Sequence, residues 1–354
     1  MDFGVCVATK IDEMGLVGHI ENLGYSHAWF TDTQMIWSDC YAALALAAQQ
    51  TRTIKIGTGV SITGTRIAPV TANSIATINR LAPGRTFLGL GTGNTAMRMM
   101  GHRPFRMKEY EDYIRVVRNL LSGGEAEFTW RGRTTSIRFL MQDFDFIGLE
   151  PPIPIYVSGF GPKAQGLAGE YGDGLVMSIP RGGTVAAALE NARAGAERAG
   201  RKLTDFYTTA LTNVLILEPG ESLDSERVIR TIGPAAMASV HYLYDKIMED
   251  GGGDPPAFMS SIWKQFCALM DEVPAERRHQ RVHDSHYMFL HPEEAGLVTP
   301  ELIRGCVMAG QPGELIERLR ALEKEGLNQI MFLPTLELQY RVLEDFARQV
   351  MERF

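Results

Sequence analysis

Short apolar runs alternate along the chain with longer stretches in which apolar residues recur every three to four positions. An apolar run of four to eight residues bounded by turn residues reads as a buried strand, and the longer period reads as a helix with one packed face. The pattern predicts strands over residues 2–8, 26–31, 53–60, 86–91, 153–157, 174–177, 207–217 and 329–333. Between them it predicts helices over 13–23, 39–50, 69–81, 107–122, 163–171, 184–199 and 313–326, with a final helix to the C-terminus. Gly24, Pro83-Gly84 and Gly123-Gly124 close predicted helices, and Ser38 or Asp39 opens one. Residues 127–139 read instead as a hairpin turning at Arg131-Gly132-Arg133.

Eight strands separated by helices define an α/β protein. A closed (β/α)8 TIM barrel is the leading architecture, and a doubly wound open sheet is its rival. The rhythm breaks between about residues 218 and 299, where helical pieces surround Gly251-Gly252-Gly253-Asp254-Pro255-Pro256. The expectation is one domain over residues 1–354, carrying a large, mainly helical insertion before the last strand.

Composition narrows the function. The 35 basic and 42 acidic residues give a net charge of -7, which argues against a nucleic-acid surface and leaves a small molecule as the expected partner. Cys6, Cys40, Cys267 and Cys306 have neither zinc-site spacing nor the density of a disulfide scaffold. Neither a signal-like opening nor an apolar run near 18 residues is present, so a cytoplasmic protein without a membrane span is expected.

Candidate chemistry gathers at two glycine-rich segments, Gly89-Leu90-Gly91-Thr92-Gly93-Asn94 and Ser158-Gly159-Phe160-Gly161-Pro162-Lys163. Each follows a predicted strand, and an amide-rich turn opening a helix suits a phosphate. Asp32 ends the second strand, where a carboxylate can transfer a proton or cap a helix. His283 and His286 lie in the insertion at a spacing that shares one helix face. They suit substrate contact, acid-base work or plain packing better than a metal, for which no third ligand is evident. A nicotinamide site would need GxGxxG after the first strand, where Thr9-Lys10-Ile11-Asp12 stands instead.

Taken in order, Lys55-Ile56-Gly57-Thr58-Gly59-Val60, Thr65-Arg66, Ile78-Asn79-Arg80-Leu81-Ala82-Pro83-Gly84-Arg85 and Gly89-Leu90-Gly91-Thr92-Gly93 resemble the bacterial-luciferase-like superfamily. Ala168-Gly169-Glu170-Tyr171-Gly172-Asp173-Gly174 and Gly310-Gln311-Pro312-Gly313-Glu314-Leu315 resemble its later landmarks. Trp29-Phe30-Thr31-Asp32 and Gly161-Pro162-Lys163 look most like its methylenetetrahydromethanopterin reductase branch. The resemblance implies a TIM barrel, often a homodimer, that binds FMN or the deazaflavin coenzyme F420. Implied chemistries are oxygenation with reduced FMN, supplied by a flavin reductase, or hydride transfer with F420. The first is the leading expectation, and a non-catalytic ligand-binding barrel is a further alternative.

The same resemblance implies which residues hold the coenzyme. Gly91, Thr92, Gly93 and Asn94 would flank its ring, and Ser158, Gly159, Phe160, Gly161 and Lys163 its phosphate. Gly59, Val60 and Ser61 would form a bulge behind the ring, with a cis peptide at Gly59-Val60 or Val60-Ser61, and Arg66 would bond the coenzyme or anchor its loop. Asn94 departs from the family, whose deazaflavin branch often carries an acid there.

Overall fold

Alternation along each short strand sends neighbouring side chains to opposite faces, so a closed sheet of such strands must bury two separate apolar layers. A computed structural model of the chain describes residues 1–179 and 183–354 and has this arrangement. Eight strands, β1 Asp2–Val7, β2 His27–Phe30, β3 Lys55–Ile62, β4 Thr86–Gly91, β5 Ile155–Ser158, β6 Gly174–Ser178, β7 Tyr207–Leu211 and β8 Gln329–Phe332, close into a barrel. Every neighbouring pair is parallel, and closure comes from β1 pairing β8, with Gly4 opposite Met331. The open-sheet rival is therefore excluded.

Outward-facing Val5, Phe30, Leu88, Leu90 and Ile330 pack under the surrounding helices. Inward-facing Trp29, Phe87, Tyr156 and Met331 belong to a second apolar cluster inside the barrel. That inner cluster continues into Ile232, Val240, Phe266 and Met270 of the insertion. The insertion is thus packed against the C-terminal mouth of the barrel rather than appended to its side.

A set of polar groups in the lumen is paired around Gln329. Trp29 Nε1 donates to Gln329 Oε1 at 2.9 Å, as does Thr209 Oγ1 at 3.0 Å, and Gln329 Nε2 lies 2.6 Å from His27 Nδ1. Burial, reinforced by the charge of Lys55, pulls the His27 pKa down to about 3, so the ring is neutral near pH 7 and its Nδ1 accepts this bond.

The expected strand over 207–217 is divided at Thr212. Only Tyr207–Leu211 lies in the barrel, while Asn213–Ile216 pairs outside it with Val307–Gly310, a strand not anticipated from the sequence. The hairpin is as expected, with Ala126–Trp130 antiparallel to Arg133–Ile137. The irregular stretch contains helices Glu226–Glu249, Ser260–Asp271 and Arg278–Arg281, followed by Pro300–Cys306. Buried Glu294 joins two parts of it, receiving Arg281 Nη1 at 3.2 Å and lying 3.3 Å from His241 Nε2. Burial alone would raise the Glu294 pKa, but bonding to His241 and the charges of His241, Arg281 and His291 hold it below the usual carboxylate range.

One close packing contact positions the site directly. Helices Pro162–Tyr171 and Val185–Arg198 touch backbone to backbone, because a Cβ on Gly169 would lie 1.8 Å from the Ala192 oxygen and one on Gly195 2.0 Å from the Gly166 oxygen. This contact fixes the helix whose first turn follows Gly161.

Candidate active site

A cleft of about 1020 Å³ opens at the C-terminal end of the barrel, where the loops of this fold converge. Its walls include Thr31 to Thr33 after β2, Gly59, Val60 and Ile62 of β3, and the segments 91–96 and 158–164 after β4 and β5. The insertion completes it with Tyr242, Lys246, Asp250, His286 and Tyr287. Both glycine-rich segments therefore face one space, as expected, and the insertion contributes to it.

One wall of the cleft rests on a bulge in β3. The peptide Gly59-Val60 is cis, and pairing with β4 shifts register between Thr58 and Ser61. Asp32 braces this bulge from β2: its Oδ2 accepts from Ile62 N at 3.2 Å, Ser61 Oγ at 3.3 Å and Arg66 Nη1 at 2.5 Å. Its side chain is 3% exposed. Arg66 also bonds Asp39 Oδ2 at 2.7 Å and lies over the Tyr41 ring. Asp32 lines the cleft, and these partners tie it to the loop after β3.

The glycines differ in what requires them. A Cβ on Gly59 would lie 2.6 Å from Trp29 Cβ, one on Gly91 2.4 Å from Val60 Cγ2, and one on Gly93 2.5 Å from Ile62 Cγ2. These three are small so that the bulge can pack within the protein, and Gly93 also has φ +84°. Gly159 is similarly enclosed, with a Cβ meeting the Ala164 backbone at 2.7 Å. Gly161 is different: nothing lies within 4 Å of its Cβ position.

Beyond Gly161, helix Pro162–Tyr171 starts without a side-chain cap, and proline at its first position presents no N–H. The N–H groups of this first turn and its positive dipole end are suited to an anion at the cleft wall. Lys163 belongs to the turn, and Lys246 faces the same cleft from the insertion, where Tyr242 touches Phe160 with ring centroids 6.2 Å apart. Tyr242, Lys246 and Asp250 recur every four residues, which places them on one helix face. At about 1020 Å³ the cleft has the volume of a site for a cofactor-sized molecule.

Three expected site residues lie elsewhere. Ser61 is fully buried and bonds Tyr41 at 2.9 Å, on the outer side of the barrel wall. Arg66 is outside the cleft lining and bonds Asp32 and Asp39, a loop-anchoring arrangement that was one of the two expected of it. His283 is 1% exposed, is not a lining residue, and has Nε2 2.7 Å from Asp245 Oδ2, so it secures the insertion. His286 does line the cleft, 5.7 Å from the Trp37 ring by centroids. The Trp37 ring lines the cleft, while its Nε1 is buried with no hydrogen-bond partner. Tyr242, Lys246 and Tyr287 line the cleft without having been expected there; only the i, i+4 spacing of Tyr242 and Lys246 could have paired two of them. Cys6 also lines the cleft, but burial pushes its thiol up to about 12 and leaves it inert.

With this geometry in place, comparison with known proteins is decisive at the family level. Residues 2–329 match the luciferase-like monooxygenase family. The chain belongs to that family. It is 34% identical over 323 residues to the 5,10-methylenetetrahydromethanopterin reductase of Methanolobus tindarius, covering 88% of this chain and 86% of the relative. It is 27% identical over 322 residues to the F420-dependent glucose-6-phosphate dehydrogenase of Gordonia bronchialis, covering 88% and 82%. Among solved structures, the coenzyme F420-dependent tetrahydromethanopterin reductase from Methanopyrus kandleri matches with a TM-score of 0.71 at 20% identity, covering 100% of this chain and 99% of that one. That last likeness concerns the fold. Homologues in this family are flavin- or F420-dependent oxidoreductases, and this chain is an enzyme of that kind. No helix among the described residues is long and apolar enough to cross a membrane.

Proposed function

We propose that the protein is an F420-dependent oxidoreductase that passes a hydride between the deazaflavin and a small organic substrate. The observation that carries this reading is sequence similarity over 88% of the chain to an enzyme named as F420-dependent, combined with a cleft that joins a ring-side wall to an anion-binding turn. Oxygenation with reduced FMN, together with a separate flavin reductase, takes second place.

In this reading the first turn of helix Pro162–Tyr171 holds the coenzyme phosphate by its backbone N–H groups, and Lys163 and Lys246 add positive charge. The bulge at Gly59-Val60 supports the ring from behind, and Asn94 meets its polar edge. When bound, the coenzyme supplies the hydride-carrying carbon. His286 holds or moves the proton that accompanies hydride transfer. Packing of the insertion across the mouth keeps water from the reacting atoms.

The test is thermal protection of the protein by F420 and by FMN at equal concentration. A ligand present at 100 times its Kd stabilises the fold by about 2.7 kcal/mol. F420 is expected to raise the unfolding temperature and FMN to have a smaller effect. Protection by FMN alone would overturn the choice of coenzyme, and protection by neither would favour the non-catalytic barrel.

A further inference from the structure

We infer that Arg98 is a positioning residue for the coenzyme, acting through Asn94; this rests on the reading that the cleft holds a flavin or deazaflavin ring. Asn94 opens the short helix Asn94–Arg98 at the cleft wall, and Arg98 stands one turn later. Arg98 Nε donates to Asn94 Oδ1 at 3.0 Å. Its guanidinium also bonds Glu249 Oε2 and lies 3.8 Å from Asp245 Oδ2, both on helix Glu226–Glu249. Glu249 is paired further with Arg103 at 3.3 Å, and Asp245 with His283 at 2.7 Å.

The orientation of an asparagine carboxamide is otherwise free to reverse, exchanging a donor for an acceptor. Here the oxygen is engaged by Arg98, so the Nδ2 hydrogens are left for the cleft. The ring edge of a flavin or deazaflavin presents carbonyl oxygens, which need a donor. Arg98 selects that donor and holds it against the same acidic pair that docks the insertion. An acid at the Asn94 position would have no amide donor to offer.

The test is a double-mutant cycle on F420 affinity, read by coenzyme fluorescence and absorbance, with Arg98→Met, Asn94→Ala and the double variant. Each single change is expected to weaken binding about five- to tenfold, the size of one hydrogen bond, and the double variant to bind no more weakly than Asn94→Ala. The absorbance shift of bound coenzyme should change alike in all three. Arg98→Lys retains a charge facing Glu249 but lacks the Nε–H, so it should restore thermal stability without restoring affinity. Additive losses, or recovery of affinity in Arg98→Lys, would reduce Arg98 to a docking residue. If the wild type binds FMN instead of F420, the coenzyme reading fails and the same cycle on FMN decides the role of Arg98. Binding of neither would overturn both.

Discussion

Gly161→Asp is expected to weaken coenzyme binding by at least about a hundredfold while leaving the unfolding temperature of the free protein nearly unchanged. The position has φ -126° and ψ 164°, extended backbone that aspartate adopts without strain, and open space lies around its Cβ. A carboxylate there faces the proposed phosphate, and juxtaposed like charges cost several kcal/mol, with each 1.4 kcal/mol worth about tenfold in Kd. Gly161→Ala is the control: it adds bulk without charge and should cost far less. The same substitution at Gly91 or Gly159 would be uninformative, because a side chain there collides with Val60 or the Ala164 backbone and damages the fold first. Unchanged affinity in Gly161→Asp would remove the phosphate from this turn.

The second large effect is on stability. Asp32→Ala removes the acceptor shared by Ile62 N, Ser61 Oγ and Arg66, and is expected to destabilise the protein by about 3 kcal/mol, the lower end for breaking a buried ion pair. The lower end applies because Arg66 keeps Asp39, whose side chain is 56% exposed. The double variant with Arg66→Met should regain part of the loss, since it no longer leaves a half-buried guanidinium short of its partner. The measurement is the denaturant midpoint of each variant. If Asp32→Ala kept full stability and lost only turnover, the anchoring role would be wrong and the carboxylate would be a proton-transfer group after all.

These two residues also show how far the sequence carries. Alternating apolar strands and 3.6-period helices suffice for the barrel, because that pattern must bury one layer under the helices and another in the lumen. Residues 158–163 were legible as a glycine-rich strand-to-helix turn at the barrel rim, where they line the cleft. The burial of Ser61 against Tyr41 was not legible, and for Asp32 and Arg66 the sequence left two alternatives open. Their ion pair spans β2 and the end of β3, and a sequence does not show whether a rim carboxylate points into the cleft or back against the bulge. Val307–Gly310 escaped notice because four residues carry little periodicity, and its partner Asn213–Ile216 runs on from β7 across a single Thr212. Lys246 and Tyr242 escaped because they ride on the insertion, whose packing across the mouth is set by an apolar core shared with the lumen.

In the proposed function, the cleft between the bulge and the Gly159–Lys163 turn is a deazaflavin site. Equilibrium titration of the purified protein with F420 and with FMN, each followed by its own fluorescence, tests it most directly. F420 should bind at least about tenfold more tightly than FMN, a difference of about 1.4 kcal/mol. Tighter binding of FMN, or saturable binding of neither coenzyme, would contradict it.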